Sequence, residues 1–141
     1  RCDVFVNNVA CGFEQVKILQ EIYDLWRTDE SKWIINIGSR AGAKNVSLGF
    51  QYSTAKAALS HFSELVTFRD KEKRCRLTTI NPGLIGKLDD VSLRASDIAS
   101  AVIWLIDQPE YVEVSRLDLH HRAPYTTVQN LKTRLNGYKK C

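Results

Sequence analysis

The sequence predicts an α/β fold in which one parallel sheet is covered by helices on both faces, giving three layers. Short apolar runs alternate along the chain with longer segments in which apolar residues recur every three or four positions. The run from Trp33 to Ile37 is apolar at all but one position, as in a strand buried on both faces of a parallel sheet. The 141 residues suffice for one domain and are too few for two. The alternation therefore indicates right-handed βαβ units around a single core.

Four strands are expected, near residues 4–7, 33–37, 75–80 and 113–119. The helix after the first strand has an apolar stripe formed by Val16, Leu19, Ile22, Tyr23 and Trp26. The second helix is expected to open around Thr54, after a loop from Gly38 to about Gly49, with a stripe formed by Leu59, Phe62, Leu65 and Val66. Each helix should therefore bury one face against the sheet.

The third helix is expected to be capped by Ser96 or Asp97 and to extend to Asp107. Its apolar stripe is formed by Ile98, Val102, Leu105 and Ile106. We expect Cys75 to be a small core residue because apolar neighbours flank it. Core positions are also expected for the three tryptophans, Trp26, Trp33 and Trp104.

The composition favours a soluble protein of the cytoplasm. The net charge is +4, and the basic residues are not interleaved with aromatic ones, so a solvated surface is favoured over a nucleic-acid site. No apolar run approaches the ~18–20 residues needed to cross a bilayer, and the N-terminus lacks the features of a signal peptide. The four cysteines show no C-x-x-C spacing and fit free thiols in a reducing compartment.

A metal site is not expected. His120 and His121 are neighbours on the last predicted strand, and neighbouring side chains on a strand point to opposite faces. They are therefore poorly placed to bind one ion together. His61 lies on the second helix beside apolar residues and is expected to be a packed or surface side chain.

The residues with the clearest chemical potential are Tyr52 and Lys56. They are four positions apart on the predicted second helix, so both can point into one cleft. An ammonium near a phenol stabilises the phenolate, which lets the tyrosine exchange a proton with a carbonyl or alcohol oxygen. Taken alone, the pair is equally compatible with a surface contact on any amphipathic helix.

Polar or glycine-containing turns follow the predicted strands. Ser39 comes just after the second strand, the sequence Asn81-Pro82-Gly83 ends the third, and Asn7-Asn8 ends the first. The carboxyl ends of parallel strands meet at one edge of the sheet, which is where α/β folds bind ligands. A hydroxyl at this edge can donate a hydrogen bond to a substrate oxygen on which charge develops.

These motifs resemble, in order, those of the short-chain dehydrogenase/reductase family over most of residues 2–119. The segment D-V-F-V-N-N-V-A at 3–10 resembles the family's strand ending in N-N-A-G. The segment I-I-N-I-G-S-R-A-G at 34–42 resembles I-V-N-I-S-S-x-x-G, and N-P-G-L-I at 81–85 resembles N-P-G-x-I. Tyr52 and Lys56 match the family's Y-x-x-x-K pair.

The resemblance implies a Rossmann-like fold and a hydride transfer between NAD or NADP and a small alcohol or carbonyl substrate. Tyr52 would be the general acid/base, Lys56 would support it and hold the nicotinamide ribose, and Ser39 would orient the substrate carbonyl. Asn8 would lie near the cofactor and brace the sheet. The residues implied in lining the nicotinamide are Pro82, Gly83 and the backbone of Ile85.

The chain also departs from the family pattern. It contains no T-G-x-x-x-G-x-G turn, whose helix N-terminus would hold the pyrophosphate, so the first βαβαβ unit of the fold is expected to be absent from these residues. The family's catalytic asparagine has no clear counterpart, and Gln15 is the candidate by position. Ala10 replaces the glycine of N-N-A-G, and Lys87 replaces a threonine common after the P-G turn.

Two functions remain open from the sequence. One is an NAD(P)-dependent oxidoreductase, and the other is a non-catalytic interaction or structural protein that has lost its cofactor. Residues 1–122 are expected to form the catalytic part of the domain and residues 123–141 a C-terminal tail. Family members commonly pair through the two helices near 13–27 and 51–68, so a homo-oligomer is expected, with Tyr23, Trp26, Phe62 and Phe68 as aromatic contact area.

Overall fold

The computed structural model describes residues 3–43, 49–86 and 92–122, and the expected tail at 123–141 lies outside them. The strands are β1 (Val4–Asn7), β2 (Trp33–Ile37), β3 (Arg76–Pro82) and β4 (Arg116–Leu119). The helices are α1 (Glu14–Trp26), α2 (Phe50–Arg69) and α3 (Ala95–Ile106). A short 3-10 turn, Arg40–Gly42, lies between β2 and α2.

The four strands form one parallel sheet in the order β1-β2-β3-β4. At its centre, Ile35 of β2 pairs with Val6 on one side and with Thr78 on the other. Because β2 has neighbours on both edges and helices over both faces, four of its five residues are buried. The predicted parallel α/β architecture is therefore confirmed.

Two apolar clusters hold the three layers together. Helices α1 and α2 cover one face, where Leu19, Tyr23 and Leu59 pack against Ile34 and Leu77. Helix α3 covers the other face, where Leu105 packs against a cluster containing Trp33, Ile35 and Ile80. Cys75 is buried in the first cluster as predicted, and this burial raises the pKa of its thiol to about 11.

The third crossover connection has the opposite hand from the first two. Each connection moves one strand in the same direction across the sheet, yet α1 and α2 lie on one face and α3 on the other. Two crossovers that move in the same direction along the sheet but pass over opposite faces have opposite hands. The expectation that all the βαβ units are right-handed is therefore wrong. Helix α3 thus follows β3 on the face opposite to α1 and α2.

The predicted helix stripes are correct in α1 and partly wrong in α2 and α3. All five residues of the α1 stripe pack in the first cluster. Leu65 of α2 and Ile106 and Trp104 of α3 are instead exposed. These three residues lie on the flanks of their helices, beyond the face that the sheet covers.

The last strand begins three residues later than expected, at Arg116. The reason is Glu113, whose carboxylate accepts a hydrogen bond from the backbone N–H of Leu77 at 3.0 Å. A side chain thus takes the place of a backbone partner at this point of β3. Backbone pairing starts only where Thr79 N–H donates to Ser115 C=O at 3.0 Å.

The helix starts also differ from expectation. Helix α2 begins at Phe50, one residue before the expected range of 51–68 and four residues before Thr54, so Tyr52 lies in its first turn. The cap of α3 is Arg94 rather than Ser96 or Asp97. Asp97 lies inside the helix, where its carboxylate accepts the backbone N–H of Arg94 at 2.8 Å and so caps the helix from its third position. In the described ranges, no helix is both long and apolar enough to span a membrane.

Candidate active site

The candidate site lies where the strands end at one edge of the sheet. Because all four strands are parallel, their last residues, from Asn7 to Leu119, meet at the same edge. Helix α2 starts at this edge and runs back across the sheet. This arrangement brings the first turns of α2 next to the end of β2, with the 3-10 turn between them.

Ser39 is held at the end of β2 by its own turn. Its hydroxyl oxygen accepts a hydrogen bond from the backbone N–H of Ala41 at 3.1 Å and so caps the 3-10 turn. A Cβ at residue 38 would meet the carboxamide oxygen of Asn81, so a larger residue here would require the Asn81 side chain to shift. Since the Ser39 oxygen acts as an acceptor in the turn, its O–H proton can be donated to another group.

Tyr52 and Lys56 are brought together on α2. The ammonium nitrogen of Lys56 lies over the Tyr52 ring, 5.7 Å from the ring centroid, which is within the range of a cation–π contact. Lys56 is only 7% exposed, whereas Tyr52 is 45% exposed. The pair therefore combines a buried cation with a phenol that solvent, and hence a ligand, can reach.

Lys56 is fixed by two neutral acceptors. Its Nζ donates to Oε1 of Gln15 at 2.6 Å and to the backbone oxygen of Ile37 at 3.1 Å. Burial lowers the pKa of Lys56 because the charged form loses water that neutral groups only partly replace. Two of the three N–H donors of the ammonium are used in this way.

Gln15 joins the ends of two strands to Lys56. It is 2% exposed, and its Nε2 donates to the backbone oxygens of Asn7 at 2.8 Å and Ile37 at 2.9 Å. Both partners can only accept, so the amide orientation is determined and Oε1 must face Lys56. The sequence feature that indicates this role is the position of Gln15, a polar residue on the apolar stripe of α1, four residues before Leu19.

The hydrogen bonds that brace the sheet come from Asn7 rather than Asn8. Asn7 is fully buried, and its Nδ2 donates to Asn36 Oδ1 and to the backbone oxygen of Gln15, both at 3.0 Å. Asn8 is exposed at the rim. Neighbouring side chains of a strand point to opposite faces, so Asn7 lies on the face covered by α1 and makes the bracing contacts that were expected of Asn8, whose place near the cofactor stays a prediction.

The turn after β3 forms the other side of the candidate site at this edge of the sheet. Pro82 is buried and pairs with Leu119, and the backbone N–H of Gly83 donates to Leu119 C=O at 2.7 Å. Ile85 forms an isolated parallel bridge with Leu93 through the backbone groups of its neighbours, Leu84 and Gly86. The N–H and C=O of Ile85 itself point away from that bridge.

These residues form two neighbouring groups. Ser39, Tyr52, Lys56 and Gln15 are connected through the 3-10 turn, α2 and the end of β2. Pro82, Gly83 and Ile85 belong to the β3 side of the same edge. Among the described residues, no group of three or more histidine, cysteine or acidic side chains is arranged to hold a metal ion.

Known proteins are similar to this chain in both sequence and fold. The family described as short chain dehydrogenase matches residues 8–90. An NADP-dependent 3-hydroxy acid dehydrogenase of Escherichia coli (strain K12) is 31% identical over 105 residues, which covers 61% of this chain and 42% of that protein. A short chain dehydrogenase of Penicillium roqueforti is 31% identical over 68 residues, which covers 48% of this chain and 27% of that protein.

Solved structures agree in fold. Serine dehydrogenase from Escherichia coli has a TM-score of 0.63 at 26% identity, covering 86% of this chain and 65% of that chain. A closed form of serine dehydrogenase complexed with NADP+ has a TM-score of 0.73 at 23% identity, covering 86% and 66%. The chain thus spans less than half of the length of the two sequence relatives and about two thirds of these structures. The Rossmann-like fold is confirmed, and the match over residues 8–90 shows that the chain belongs to the short-chain dehydrogenase family.

Proposed function

We propose that this protein is an NAD(P)-dependent oxidoreductase that interconverts a small alcohol and its carbonyl compound, with Tyr52 as the general acid/base. The observation that carries the proposal is the buried Lys56 ammonium beside the accessible Tyr52 ring, 5.7 Å from its centroid. An ammonium at this position stabilises the phenolate that forms when Tyr52 gives its proton to a carbonyl oxygen. In the reverse direction, the phenolate takes the proton of the alcohol.

Ser39 is proposed to orient the substrate oxygen. Its hydroxyl oxygen is occupied by the N–H of Ala41, so the hydroxyl acts toward the substrate as a donor. The O–H of Ser39 can still donate, so in this proposal a donor from Ser39 and a donor from Tyr52 act on one substrate oxygen. This arrangement stabilises the negative charge that develops on that oxygen during reduction.

The cofactor is proposed to bind on the β3 side of Lys56. The third N–H of Lys56 can donate to a ribose hydroxyl, since only two acceptors use this ammonium among the described residues. The backbone N–H of Ile85, which the bridge to Leu93 leaves unused, suits a carboxamide oxygen. Pro82 and Gly83 would line the ring, and Asn8 would lie at the rim. A bound nicotinamide would supply or accept the hydride.

The relatives do not decide between the two cofactors for this chain. One sequence relative is named as NADP-dependent, whereas a 4-hydroxyisoleucine dehydrogenase of similar fold was solved with NADH. We therefore propose NAD or NADP. Cys11 and Cys75 carry free thiols, which supports a reducing compartment such as the cytoplasm.

The substitution Tyr52→Phe tests the proposal in a full-length form of the protein that binds nicotinamide. Phenylalanine keeps the ring and removes the proton donor, so we expect turnover to fall by about 10² to 10⁴ while cofactor affinity stays unchanged. Turnover would be measured on a panel of small alcohols and ketones, and affinity by calorimetry. The comparison variant Lys56→Ala should lose both turnover and affinity. Near-normal turnover of Tyr52→Phe would show that the proposed mechanism is wrong.

A further inference from the structure

One residue, Ala41, joins the elements that carry Ser39 and Tyr52 through its backbone N–H and its backbone C=O. The N–H of Ala41 donates to the Ser39 hydroxyl oxygen at 3.1 Å, and the C=O of Ala41 accepts the hydroxyl of Ser53 at 2.5 Å. Ser53 directly follows Tyr52 in the first turn of α2. The two proposed catalytic hydroxyl groups are therefore connected through the backbone of one residue, Ala41, and two serine side chains.

Among the residues that the structure describes, the side-chain hydrogen bond that links the first turn of α2 to another element is the one from Ser53 to Ala41. Gly49 is its N-cap and provides no side-chain hydrogen bond. Thr54 donates its hydroxyl to Phe50 C=O at 2.7 Å, a contact within the same helix that does not tie the turn to anything else. Helix ends open more readily than helix centres, and the bond from Ser53 to Ala41 opposes this by linking the first turn of α2 to the 3-10 turn at the sheet edge.

A second contact fixes the orientation of the 3-10 turn relative to α2. Gly42 lies against the backbone of α2 one turn further on, where a Cβ on residue 42 would be 2.8 Å from the nitrogen of Ala57. The 3-10 turn thus meets α2 at two points, Ser53 and the Lys56–Ala57 peptide. Two points define how the turn and the helix are oriented, whereas one would leave a pivot.

We propose that Ser53 is a positioning residue, which sets the distance between the Ser39 hydroxyl and the Tyr52 phenol by binding the C=O of Ala41. This inference rests on the proposed function of Ser39 and Tyr52. Both groups must act on one substrate oxygen, and a displacement of about 1 Å can reduce a rate about 10²-fold. Lys56 is held independently, by Gln15 and Ile37, so cofactor binding should not depend on Ser53.

The test compares Ser53→Thr with Ser53→Val in the full-length enzyme. The two side chains have nearly the same shape, and only threonine keeps the hydroxyl, so packing effects cancel in the comparison. We expect Ser53→Val to lose about 10²-fold in kcat with cofactor affinity unchanged, and Ser53→Thr to keep most of kcat. Thr54→Ala is the matched control, since it removes a hydroxyl from the same turn without touching the 3-10 turn.

A measurement that does not need turnover accompanies the kinetics. The N–H groups of residues 53–56 bond back to the first turn of α2, beginning with Ser53 N–H to Gly49 C=O, so their hydrogen exchange should be faster in Ser53→Val than in Ser53→Thr or Thr54→Ala. Equal kcat and equal exchange in the valine and threonine variants would overturn the proposal. An equal loss of kcat and cofactor affinity in Ser53→Val would also overturn it, by showing a general structural role. Failure of the function itself would appear separately, as near-normal turnover of Tyr52→Phe.

Discussion

At the scale of single residues, the site depends on a buried cation that has no anionic partner among its described hydrogen bonds. Lys56 is held by a carboxamide oxygen and a backbone oxygen, and both are neutral. Neutral acceptors hold an ammonium in place with less stabilisation of its charge than a carboxylate would give. This leaves the charge of Lys56 available to stabilise the phenolate of Tyr52.

Gln15→Leu is expected to lower the stability of the protein and to displace the Lys56 side chain. Leucine has a similar size but leaves the backbone oxygens of Asn7 and Ile37 without their Gln15 donors and Lys56 without its shorter contact. Each unsatisfied buried group costs about 1–3 kcal/mol, which urea unfolding would measure. The exposed Gln20 on the same helix provides the control Gln20→Leu. Equal stability of the two variants would contradict the assigned contacts of Gln15.

Sequence reasoning at this scale identified Ser39, Tyr52 and Lys56 as candidates but assigned the bracing of the sheet to Asn8. The Tyr52–Lys56 pair was predictable because helix geometry alone places residues four apart on one face. Gln15 and Asn7 act through contacts with residues far along the chain, up to 41 positions away for Gln15 and Lys56. Such contacts depend on tertiary packing and leave only a weak trace in the sequence.

At the scale of elements, the fit between the 3-10 turn and α2 requires a glycine at residue 42. A methyl group there would meet the backbone of Lys56 and Ala57, which cannot move as a flexible side chain can. We expect Gly42→Ala to cost about 1–3 kcal/mol and to displace Ser39, lowering turnover as well. Thermal unfolding would compare it with Gly86→Ala, since a Cβ at residue 86 meets nothing within 4 Å. Equal melting temperatures would contradict the close packing.

We propose that α1 and α2 form an interface between two copies of the chain, although three of the expected aromatic residues are largely engaged in packing within the chain. Tyr23 and Phe62 pack edge to face at 5.9 Å, and Trp26 packs in the same way on Phe5 at 6.3 Å, all in the core beneath these helices. The remaining apolar area comes from Phe68, which is 73% exposed, and Leu25, which is 75% exposed.

Phe68→Asp should therefore weaken association in sedimentation equilibrium, because a carboxylate in an apolar interface loses its water. The control is Tyr111→Asp, which changes another exposed aromatic residue in a turn away from α1 and α2. A protein that is already monomeric at tens of micromolar would contradict the interface, as would equal association of both variants.

The core faces of the helices were only partly predictable. Apolar periodicity identified the whole stripe of α1, but Leu65, Trp104 and Ile106 are apolar and yet exposed. Periodicity shows that a helix has an apolar side without showing how much of that side the sheet covers. The late start of β4 was not predictable either, because Glu113 replaces a backbone partner only after the strands have come together.

At the scale of the whole molecule, a polar network connects the far ends of α1 and α2. The carboxylate of Asp70 accepts the Tyr23 hydroxyl at 2.7 Å and the Arg27 guanidinium at 3.3 Å. The Tyr23 hydroxyl is the largest cause of the lowered pKa of Asp70. A carboxyl whose pKa is lower in the folded than in the unfolded state stabilises the fold above its unfolded pKa, and the stabilisation is lost as pH falls through the folded pKa.

The wild-type protein should therefore lose stability as the pH falls below about 4, the unfolded pKa of an aspartate. Asp70→Asn should be less stable at neutral pH and should show a weaker dependence on pH in this acidic range. Urea unfolding at several pH values would measure both effects. Asp24→Asn, at an exposed carboxylate of α1, is the control, and an identical pH dependence for Asp70→Asn and the wild type would show that the network contributes nothing.

The overall architecture was the most predictable level. Strand and helix alternation determines a parallel sheet with few alternatives, and three of the four strands lie within two residues of their predicted bounds. The hand of the third crossover was not predictable, because a strong general preference for right-handed units argues against it. The position of α3 follows from packing against Trp33, Ile35 and Ile80, which local sequence does not reveal.

The order in which the site can assemble follows from where its residues lie along the chain. Ser39, Ser53 and Lys56 all fall within residues 39–56, so closing the loop between them costs little conformational entropy. The partners Gln15 and Pro82 come from outside this segment and meet Lys56 and Leu119 only when neighbouring strands have paired. The residues proposed to handle the proton, Ser39, Tyr52 and Lys56, can thus approach one another early in folding, whereas the proposed nicotinamide surface would require the finished sheet. A ligand that binds only the finished state draws the folding equilibrium toward it, so nicotinamide would act on the full-length protein as a late-stage folding partner as well as a reactant.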